Sequence, residues 1–433
     1  MKNLINSFLL LAMFGFLFTS CDSDDDNNVG TGPGTETNFS EDADEWTTSV
    51  EQGQQTTGAN LSVFGWTYAA SQAASSIDGL DYDNPSWTIS NPQPDETHSG
   101  FIDSDETWTN DRVHLLDGKV YVNDGASLTI EAGTLIKGKQ SSGSNASALI
   151  VSQGGKIFAN GTAQQPIIMT SELDNITLGS NAGTNLGVND NSLWGGLLVL
   201  GNARGSFSGD AVSIQIEGLP ATEPGDYGGT DDADNSGVIN YLSLRHGGAI
   251  IGSDNEINGI TLGAVGSGTQ ISNIEVVANK DDGIEWFAGT VDVQNAFVWG
   301  CSDDQFDFDE AYSGTLSNAV SVSTNLTDHA MEIDGPAGSY QAAFTIDGLT
   351  LIGDTSTVVD GVSGNREYAD LRDGALCTIK NVYVYNFRSG SDVELDDADT
   401  LENYLNGNVS FENWQVVYPV GDDNTVMWNN TVE

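Results

Sequence analysis

The feature that most constrains the fold is a double repeat in the second half of the chain, with a period of about 22 residues, a length typical of repeat architectures. Residues Asp282–Phe287 read DGIEWF, and Asp304–Phe308 read DQFDF one period later. Each copy places an acid between two apolar residues, so in a strand the apolar pair faces one side and the acid the other. Residues 271–276 and 293–298 repeat a different pattern at the same interval. Two unrelated patterns with one interval indicate successive coils of a solenoid.

A recurring asparagine marks one turn of each coil. Each mark stands directly before a short apolar strand, such as Tyr241–Leu244 or Val382–Tyr385. Stacked turn amides can pass hydrogen bonds from coil to coil, which predicts an asparagine ladder. The marks are Asn240, Asn273, Asn295, Asn318, Gly348 (in the equivalent place) and Asn381. Their unequal intervals predict a common coil with loops inserted at 203–237, 248–258 and 353–375.

The composition suits short strands and excludes one class of partner. The 433 residues include 51 Gly and 9 Pro, which favour turns. There are 63 acidic residues against 13 basic ones, so no basic patch can offset the repulsion of a nucleic-acid backbone. We attribute most acids to solvation and a minority to cation binding. Cys301 and Cys377 occupy different points of their coils, which predicts buried thiols rather than a disulfide.

The start of the chain is interpreted as an address and a tether. An apolar run from Leu4 to Phe18 ends in Thr-Ser-Cys and is typical of a secretory signal. It resembles a bacterial lipoprotein signal, which implies a signal peptide over 1–20, acylation of Cys21 and attachment to the outer membrane. The acidic run after Cys21 resembles the surface-export signal of Bacteroidota-type lipoproteins, and residues 21–40 have the composition of a flexible tether. The alternative is an ordinary cleaved signal with an incidental cysteine.

The rest of the chain divides into a tryptophan-rich region and the repeats. Residues 41–110 are interpreted as a cap over the first coil, whose open edge must be covered, or as a small separate module. Residues 111–433 are predicted to form the solenoid and its closing segment. The phrases SLTIEAGTLIKG, ALIVSQGGKIFANGTAQQPIIMTS and WGGLLVLGNA resemble the opening coils of proteins with the pectin-lyase-like fold. That resemblance implies an all-β chain folded as a right-handed parallel β-helix.

Counting from the asparagine marks places acids at one point of successive coils. Asn273 precedes Glu285 by the same spacing at which Asn295 precedes Asp307. Adjacent coils stand about 4.8 Å apart, and two carboxylates at that distance repel by roughly 3 kcal/mol at an effective dielectric constant of 20. A partly buried row therefore needs a cation, a shared proton or a ligand. The predicted row consists of Glu285, Asp307 and Glu332, with Glu394 further along the same face.

Residues near this row are candidates for metal and ligand contacts. Carboxylate oxygens are the ligands that Ca²⁺ prefers, and the predicted ligands are Asp281, Asp282, Asp304 and Asp307. Trp299 is a candidate for stacking on a sugar ring. Arg245 is a candidate for binding an anionic group of the ligand, and the alternative is that it pairs with a neighbouring acid.

The same aspartates resemble a catalytic pattern. In polygalacturonase-like β-helix enzymes, successive coils carry an Asn-Thr-Asp element, an Asp-Asp pair, a Gly-His-Gly element and an Arg-Ile-Lys element. Here NKDDG, SDD and DHA follow one another at coil-like intervals. The resemblance implies acid and base roles for Asp282, Asp303 and Asp304, with His329 assisting, in glycoside hydrolysis. His329 lacks the flanking glycines, and the possible substitutes for the arginine are Arg366, Arg372 and Arg388.

These patterns leave three functional hypotheses. The favoured one is a cell-surface lipoprotein whose β-helix binds an extracellular glycan with Ca²⁺ on the acidic face. The alternative is a polysaccharide hydrolase or lyase that uses the paired aspartates. The third is a structural or adhesive accessory of an outer-membrane uptake complex. A pocket holding Asp282, Asp304 and His329 within the width of one sugar favours the enzyme, a stripe of cation ligands favours binding, and an uncharged side face favours a protein partner.

Overall fold

The computed structural model describes residues 39–250, 256–356 and 367–429. Within these residues the strands of the main sheet pair in parallel from coil to coil, as a parallel β-helix requires. The signal peptide, Cys21 and most of the tether lie outside the described residues, so the export hypothesis stays a prediction. None of the helices in the described ranges is long and apolar enough to cross a membrane.

The elements are short, and the strands greatly outnumber the helices. The helices are α1 Phe39–Asp42, α2 Tyr68–Ala73, α3 Ala398–Leu405 and α4 Asn424–Met427. The strands are β1 Thr47–Ser49, β2 Glu96–Ile102, β3 Glu106–Trp108, β4 Val113–Val122, β5 Ser127–Ile130, β6 Leu135–Gly138, β7 Ala148–Val151, β8 Lys156–Asn160, β9 Ile167–Ser171, β10 Leu197–Leu200, β11 Ile214–Gln215, β12 Asp226–Tyr227, β13 Gly237–Arg245, β14 Ile260–Gly263, β15 Gln270–Val277, β16 Ile284–Phe287, β17 Val293–Trp299, β18 Phe306–Asp309, β19 Thr315–Val322, β20 Glu332–Asp334, β21 Phe344–Ile352, β22 Ala369–Arg372, β23 Cys377–Tyr385, β24 Val393–Leu395, β25 Val409–Val416 and β26 Trp428–Asn429.

Three parallel sheets run along the β-helix. The first sheet contains the later halves of β2 and β4, then β7, β10, β14, β16, β18, β20, β22, β24 and β26. The second contains β3, β5 and β8 and continues into the first halves of the odd-numbered strands from β13 onward. The third contains β6, β9 and the second halves of those same strands. Each odd-numbered strand from β13 to β25 therefore bends at the corner between the second and third sheets, whereas β2 and β4 pass from the third sheet into the first.

The predicted asparagine ladder occupies this corner. Asn273, Asn295 and Asn318 have positive φ angles of 52°, 60° and 55°, a conformation that asparagine tolerates better than most residues. Asn295 Nδ2 donates to Asn273 Oδ1 at 2.9 Å, and Asn318 Nδ2 donates to Asn295 Oδ1 at 2.7 Å. The hydrogen bonds confirm the ladder.

Two positions of the ladder are filled differently from the prediction. Tyr241, and not Asn240, has the positive φ of the corner, at 48°. Asn240 Oδ1 nevertheless accepts a hydrogen bond from the next coil at 2.8 Å. Similarly, Gly348 turns the corner with φ 81°, and the preceding Asp347 accepts from Asn381 Nδ2 at 2.6 Å. Asp347 thus replaces the amide toward Asn381, while Asn318 Oδ1 accepts from the backbone N of Asn60 at 2.5 Å.

Inward side chains of the first sheet fill the core with stacked rings. Trp286 and Phe308, on successive coils, stack with centroids 4.6 Å apart, and Phe308 stacks on Phe344 at 4.4 Å. Trp286 is fully buried, as predicted, and Cys301 and Cys377 are buried free thiols. A slip of one residue in the register of β16 would point Trp286 outward and its acidic neighbour into the core, so packing fixes the register.

The region before the repeats was predicted to cover the first coil, but its beginning covers the last coil. Strand β1 pairs with β25, the last long strand, with Thr47 beside Trp414. Phe39 is fully buried and packs edge-on against Trp428 at 5.4 Å and Tyr404 at 4.9 Å. The expected cap over the first coil is therefore corrected. The start of the described chain covers apolar rings that the last coil would otherwise expose to water.

The chain then returns along the third sheet to the first coil. Phe64 packs against Phe297 at 5.4 Å on this route. Strand β2 already pairs with β4, so the solenoid begins at Glu96 rather than at residue 111.

Candidate functional site

The predicted row of acids exists and has one more member. The register pairs Glu285 with Asp307, and Asp307 with Glu332. Asp370 follows Glu332 and is followed by Glu394. The sequence pattern misses Asp370 because β22 lies within the stretch interpreted as the inserted loop 353–375. That stretch therefore includes a strand of the coil.

Two further rows flank the central one on the outer side of the first sheet. One lies three residues earlier in each coil and consists of Asn258, Asp282, Asp304, His329 and Glu367. The other lies two residues later and consists of Phe287, Asp309, Asp334 and Arg372. We call the three rows together the acidic face. His329 and Arg372 are the cationic side chains within them.

Most of the acidic face is buried although it points away from the core. Glu285 and Asp307 are only 2% and 5% exposed. The loop inserted between β10 and β13 covers part of the face: Tyr227 packs on Phe287 at 5.9 Å and donates from Oη to Glu310 at 2.6 Å. Because burial removes water from the carboxyl groups, their mutual repulsion is not screened and their pKa values rise.

Asp304 and His329 form a buried ion pair. Asp304 Oδ1 accepts from the backbone N and the ring Nδ1 of His329, both at 2.8 Å. Burial opposes ionisation of Asp304, but the charge and hydrogen bonds of His329 outweigh it and lower the pKa of Asp304 to about 2. In the same way burial would lower the pKa of His329, and the Asp304 carboxylate instead raises it well above its usual value.

Glu332 lies beside this ion pair, and its pKa shifts in the opposite direction from that of Asp304. Its carboxyl group is within hydrogen-bonding reach of Asp304. Burial, followed by the charge of Asp304, raises the pKa of Glu332 well above its usual range. Asp304 Oδ2 is buried and receives no hydrogen bond from an N–H or hydroxyl group. Two adjacent acids whose pKa values shift apart are suited either to proton transfer or to binding a cation.

A second group joins Asp282, Glu285 and Asp307, whose ligand oxygens lie within 4.8 Å of one another. Asp282 Oδ1 accepts from the backbone N of Asp304 at 3.0 Å, and Asn258 donates to Glu285. Asp307 Oδ1 is buried without a hydrogen-bond partner. Burial, with smaller contributions from neighbouring carboxylates, raises the pKa of both Asp282 and Asp307 well above the usual value.

The four predicted Ca²⁺ ligands are divided among neighbouring groups. Asp281 lies with Asp282 and Asp303, within 4.8 Å through their oxygens. Asp304 belongs with His329 and Glu332 instead, also within 4.8 Å. Asp282 is shared, since it also belongs to the group that contains Asp307. The structure therefore distributes the four predicted ligands over adjoining three-residue groups, and their binding of Ca²⁺ stays a prediction.

Among the arginines considered as substitutes in the polygalacturonase-like pattern, Arg372 lies on the acidic face. Arg366 lies outside the described residues. The Nε of Arg372 donates to Asp334 Oδ1 at 2.7 Å, and its guanidinium also contacts Glu332. Nη1 lies 4.0 Å from Asp370. Arg372 therefore neutralises the end of the face away from Asp282.

Arg245 and Trp299 lie on the third sheet, away from the acidic face. Arg245 is fully buried, donates from Nη1 to the Asn181 carbonyl at 2.6 Å, and lies over the Tyr68 ring at 4.6 Å. Trp299 packs against Tyr68 and Val188. The prediction that both residues contact the ligand of the acidic face is corrected, because the chain segments around Tyr68 and Asn181 cover this sheet.

The fold and the face define the class of protein: a parallel β-helix that presents rows of carboxyl groups along one sheet. Over residues 100–432 the chain matches the family described as pectate-lyase-like beta helix domain, and it belongs to that family. No curated protein and no solved structure gives a significant match to the chain. The family match confirms the predicted β-helix fold, which fits a glycan-binding or polysaccharide-active protein.

Proposed function

We propose that the acidic face binds divalent cations, with Ca²⁺ as the ion, and that the bound cation recruits an extracellular glycan. The observation that carries this proposal is a set of buried carboxylate oxygens that accept no hydrogen bond from an N–H or hydroxyl group, so that only a proton shared with a neighbouring acid or a cation can satisfy them. They are Asp304 Oδ2, Asp307 Oδ1 and Asp370 Oδ1. A buried acceptor without a donor is destabilising by about 1–3 kcal/mol, and a cation between such oxygens removes that penalty.

The spacing of the groups supports Ca²⁺. This ion takes six to eight oxygen ligands at about 2.3–2.6 Å, so two oxygens on one ion lie at most about 5 Å apart. The oxygens of Asp282, Glu285 and Asp307 meet this limit, as do those of Asp281, Asp282 and Asp303, since each set lies within 4.8 Å. Water and ligand oxygens complete the coordination in this proposal.

Charge and family membership support a glycan as the ligand. A chain with a formal charge of −50 repels an acidic polymer unless cations intervene. A bound Ca²⁺ reverses the local sign and coordinates carboxylate or hydroxyl oxygens of a sugar. The lipoprotein-like N-terminus supports a location outside the cell, on the outer membrane, anchored through Cys21. The charged face supports a polar ligand over the dry protein contact expected of an uptake-complex accessory.

A second candidate function is cleavage of a polysaccharide by the same residues. The specific observation in its favour is the opposite pKa shift of Asp304 and Glu332, which leaves a base beside an acid. Their carboxyl groups are in hydrogen-bonding reach, closer than the roughly 5 Å of retaining or 6.5–9.5 Å of inverting glycosidases. The geometry therefore supports proton abstraction, as in a lyase, over hydrolysis by this pair.

Calorimetry tests the cation, and a glycan array tests the ligand. Ca²⁺ titrated into chelator-treated protein should bind saturably and raise the melting temperature, and Asp307→Asn should weaken both effects. Glu402→Gln is the matched control, because Glu402 is exposed on α3. Glycan binding should require Ca²⁺. The absence of any thermal shift with Ca²⁺ would refute the cation proposal. Polysaccharide turnover that disappears in Asp304→Asn would instead establish the enzyme.

A further inference from the structure

We propose a second and separate metal site, for Zn²⁺ or a similar transition-metal ion, formed by His98, His114 and Glu96 in the first coils. The chain contains only four histidines, and two of them meet here. His98 Nε2 lies 2.9 Å from His114 Nδ1. An oxygen of Glu96 completes a group whose ligand atoms all lie within 4.8 Å of one another.

Two neutral imidazoles supply the two ring hydrogen bonds, but they then leave His98 Nδ1 without a proton beside the Glu106 carboxylate. His114 Nε2 lies 2.9 Å from the Thr109 carbonyl, so this nitrogen must be the protonated one. His98 Nδ1 lies 3.5 Å from the Glu106 carboxylate and also needs a proton to make a favourable contact. The contact between the rings then needs a third proton. A neutral imidazole carries one N–H, so the neutral pair lacks the third.

A metal ion between the rings satisfies all three contacts without the extra proton. Ligating imidazoles usually donate their other N–H to a carbonyl or carboxylate oxygen, and the Thr109 carbonyl and Glu106 carboxylate stand in those positions. Two Zn–N bonds at a tetrahedral angle hold the nitrogens about 3.3 Å apart. The rings need to separate only slightly.

The surroundings hold the rings in place. His98 stacks on Trp108 at 4.3 Å, and Trp108 stacks on His114 at 5.2 Å. Trp108 Nε1 donates to Glu106 Oε1 at 2.8 Å, which fixes the carboxylate beside His98. The other carboxylate, Glu96, is paired with Arg112 at 3.1 Å. His98 and His114 pair in register with core positions of the neighbouring coils, so the ion would close the core at the first coil.

The test is a Zn²⁺ titration of the full-length protein after chelation, followed by calorimetry and thermal unfolding. Excess Ca²⁺ is present throughout, so that the acidic face is occupied and does not contribute. One Zn²⁺ should bind per chain and raise the melting temperature. His98→Gln should lower the affinity at least 100-fold. Glu106→Gln should lower it about 10–100-fold, because Glu106 orients His98 without binding the ion.

Glu402→Gln is the matched control, since Glu402 is exposed on α3 and belongs to neither proposed metal site, and its Zn²⁺ affinity should equal that of the unaltered chain. Co²⁺ substituted for Zn²⁺ should give visible ligand-field bands that disappear in His98→Gln. No saturable Zn²⁺ binding in excess Ca²⁺ would overturn the proposal, as would equal loss of binding in His98→Gln and Glu402→Gln. His114 is buried. If His114→Gln does not fold, the test relies on His98→Gln and Glu106→Gln, which change partly exposed side chains.

Discussion

The carboxyl groups of Glu285 and Asp307 meet across two neighbouring coils, as an in-register pair on the outer side of β16 and β18. Both side chains are buried, so water does not screen them. Neutralisation must come from protons or from cations. The stability of the β-helix is therefore expected to depend on pH and on Ca²⁺ together.

Replacing Asp307 by asparagine should stabilise the protein when cations are absent. Asp307→Asn removes one buried charge and supplies an amide donor to its acidic neighbours, which is expected to raise the free energy of unfolding by about 1–3 kcal/mol at pH 8. Urea denaturation with a chelator present measures this. Adding Ca²⁺ should stabilise the unaltered chain more than the variant. A loss of stability in Asp307→Asn without Ca²⁺ would contradict the view that these acids repel.

Without cations, stability should fall as the pH rises from about 4 to above 7. Burial, aided by neighbouring acids, raises the pKa of Asp303 and Asp370 to about 7. Groups with raised pKa values hold more protons in the folded state than in the unfolded state, so their contribution is present at low pH and is lost through the folded pKa. Asp304 has the opposite sign, but its lowered pKa acts only at more acidic pH. Thermal unfolding across this range tests the trend, and Ca²⁺ should flatten it.

Breaking the Asp304–His329 pair should be strongly destabilising. His329→Gln leaves the Asp304 carboxylate buried without its cation, which is expected to lower the free energy of unfolding by about 3–5 kcal/mol. Asp304→Asn should cost less, because His329 can then lose its proton. Denaturant unfolding at pH 7 compares the two. Equal effects would indicate that the ionic contact contributes little.

The ladder offers a prediction that separates backbone strain from hydrogen bonding. Asn295→Ala loses both side-chain hydrogen bonds and forces alanine to the positive φ of the corner, and we expect a loss of about 2–3 kcal/mol. Asn295→Gly loses the same hydrogen bonds but tolerates the conformation, as Gly348 does at its own corner. The glycine variant should therefore be the more stable of the two in urea denaturation. The reverse order would argue against strain at this position.

Removing Phe39 should loosen the last coil. Phe39→Ala opens a cavity among the rings of Trp428, Tyr404 and Phe411, and the expected loss is about 3–5 kcal/mol. Hydrogen exchange should accelerate first in β25 and β26. Val420→Ala is the control, because Val420 is exposed. Faster exchange in β2 and β4 instead would mean that the contact stabilises the other end.

The coil and the central row of acids could be predicted from the sequence, because both follow from its periodicity. The spacing from Asn273 to Glu285 and from Asn295 to Asp307 is the same, and the strands pair accordingly. Asp370 escaped this reasoning because an insertion lengthens its coil. The predicted role of Asn240 in the ladder is right, although Tyr241 and not Asn240 turns the corner.

Burial of the acidic face and the position of the capping segment depend on contacts that periodicity does not encode. Tyr227 reaches Glu310 from a loop more than eighty residues earlier. The sequence near Phe39 does not indicate which end of the solenoid this segment covers, because either end exposes similar apolar rings. His98 and His114 carry no motif spacing, and only the pairing of β2 with β4 brings them together.

The pairing of β1 with β25 has a consequence for biosynthesis. Thr47 leaves the ribosome long before Trp414, its partner in the last coil. The early coils can form as they emerge, because their contacts are between neighbours, but the first segment must wait for the end of the chain. Closing that long loop is slow relative to local pairing. Until the last coil forms, Phe39 and Trp46 lack the Trp428 ring on which they pack, so the incompletely folded chain exposes apolar rings that favour aggregation.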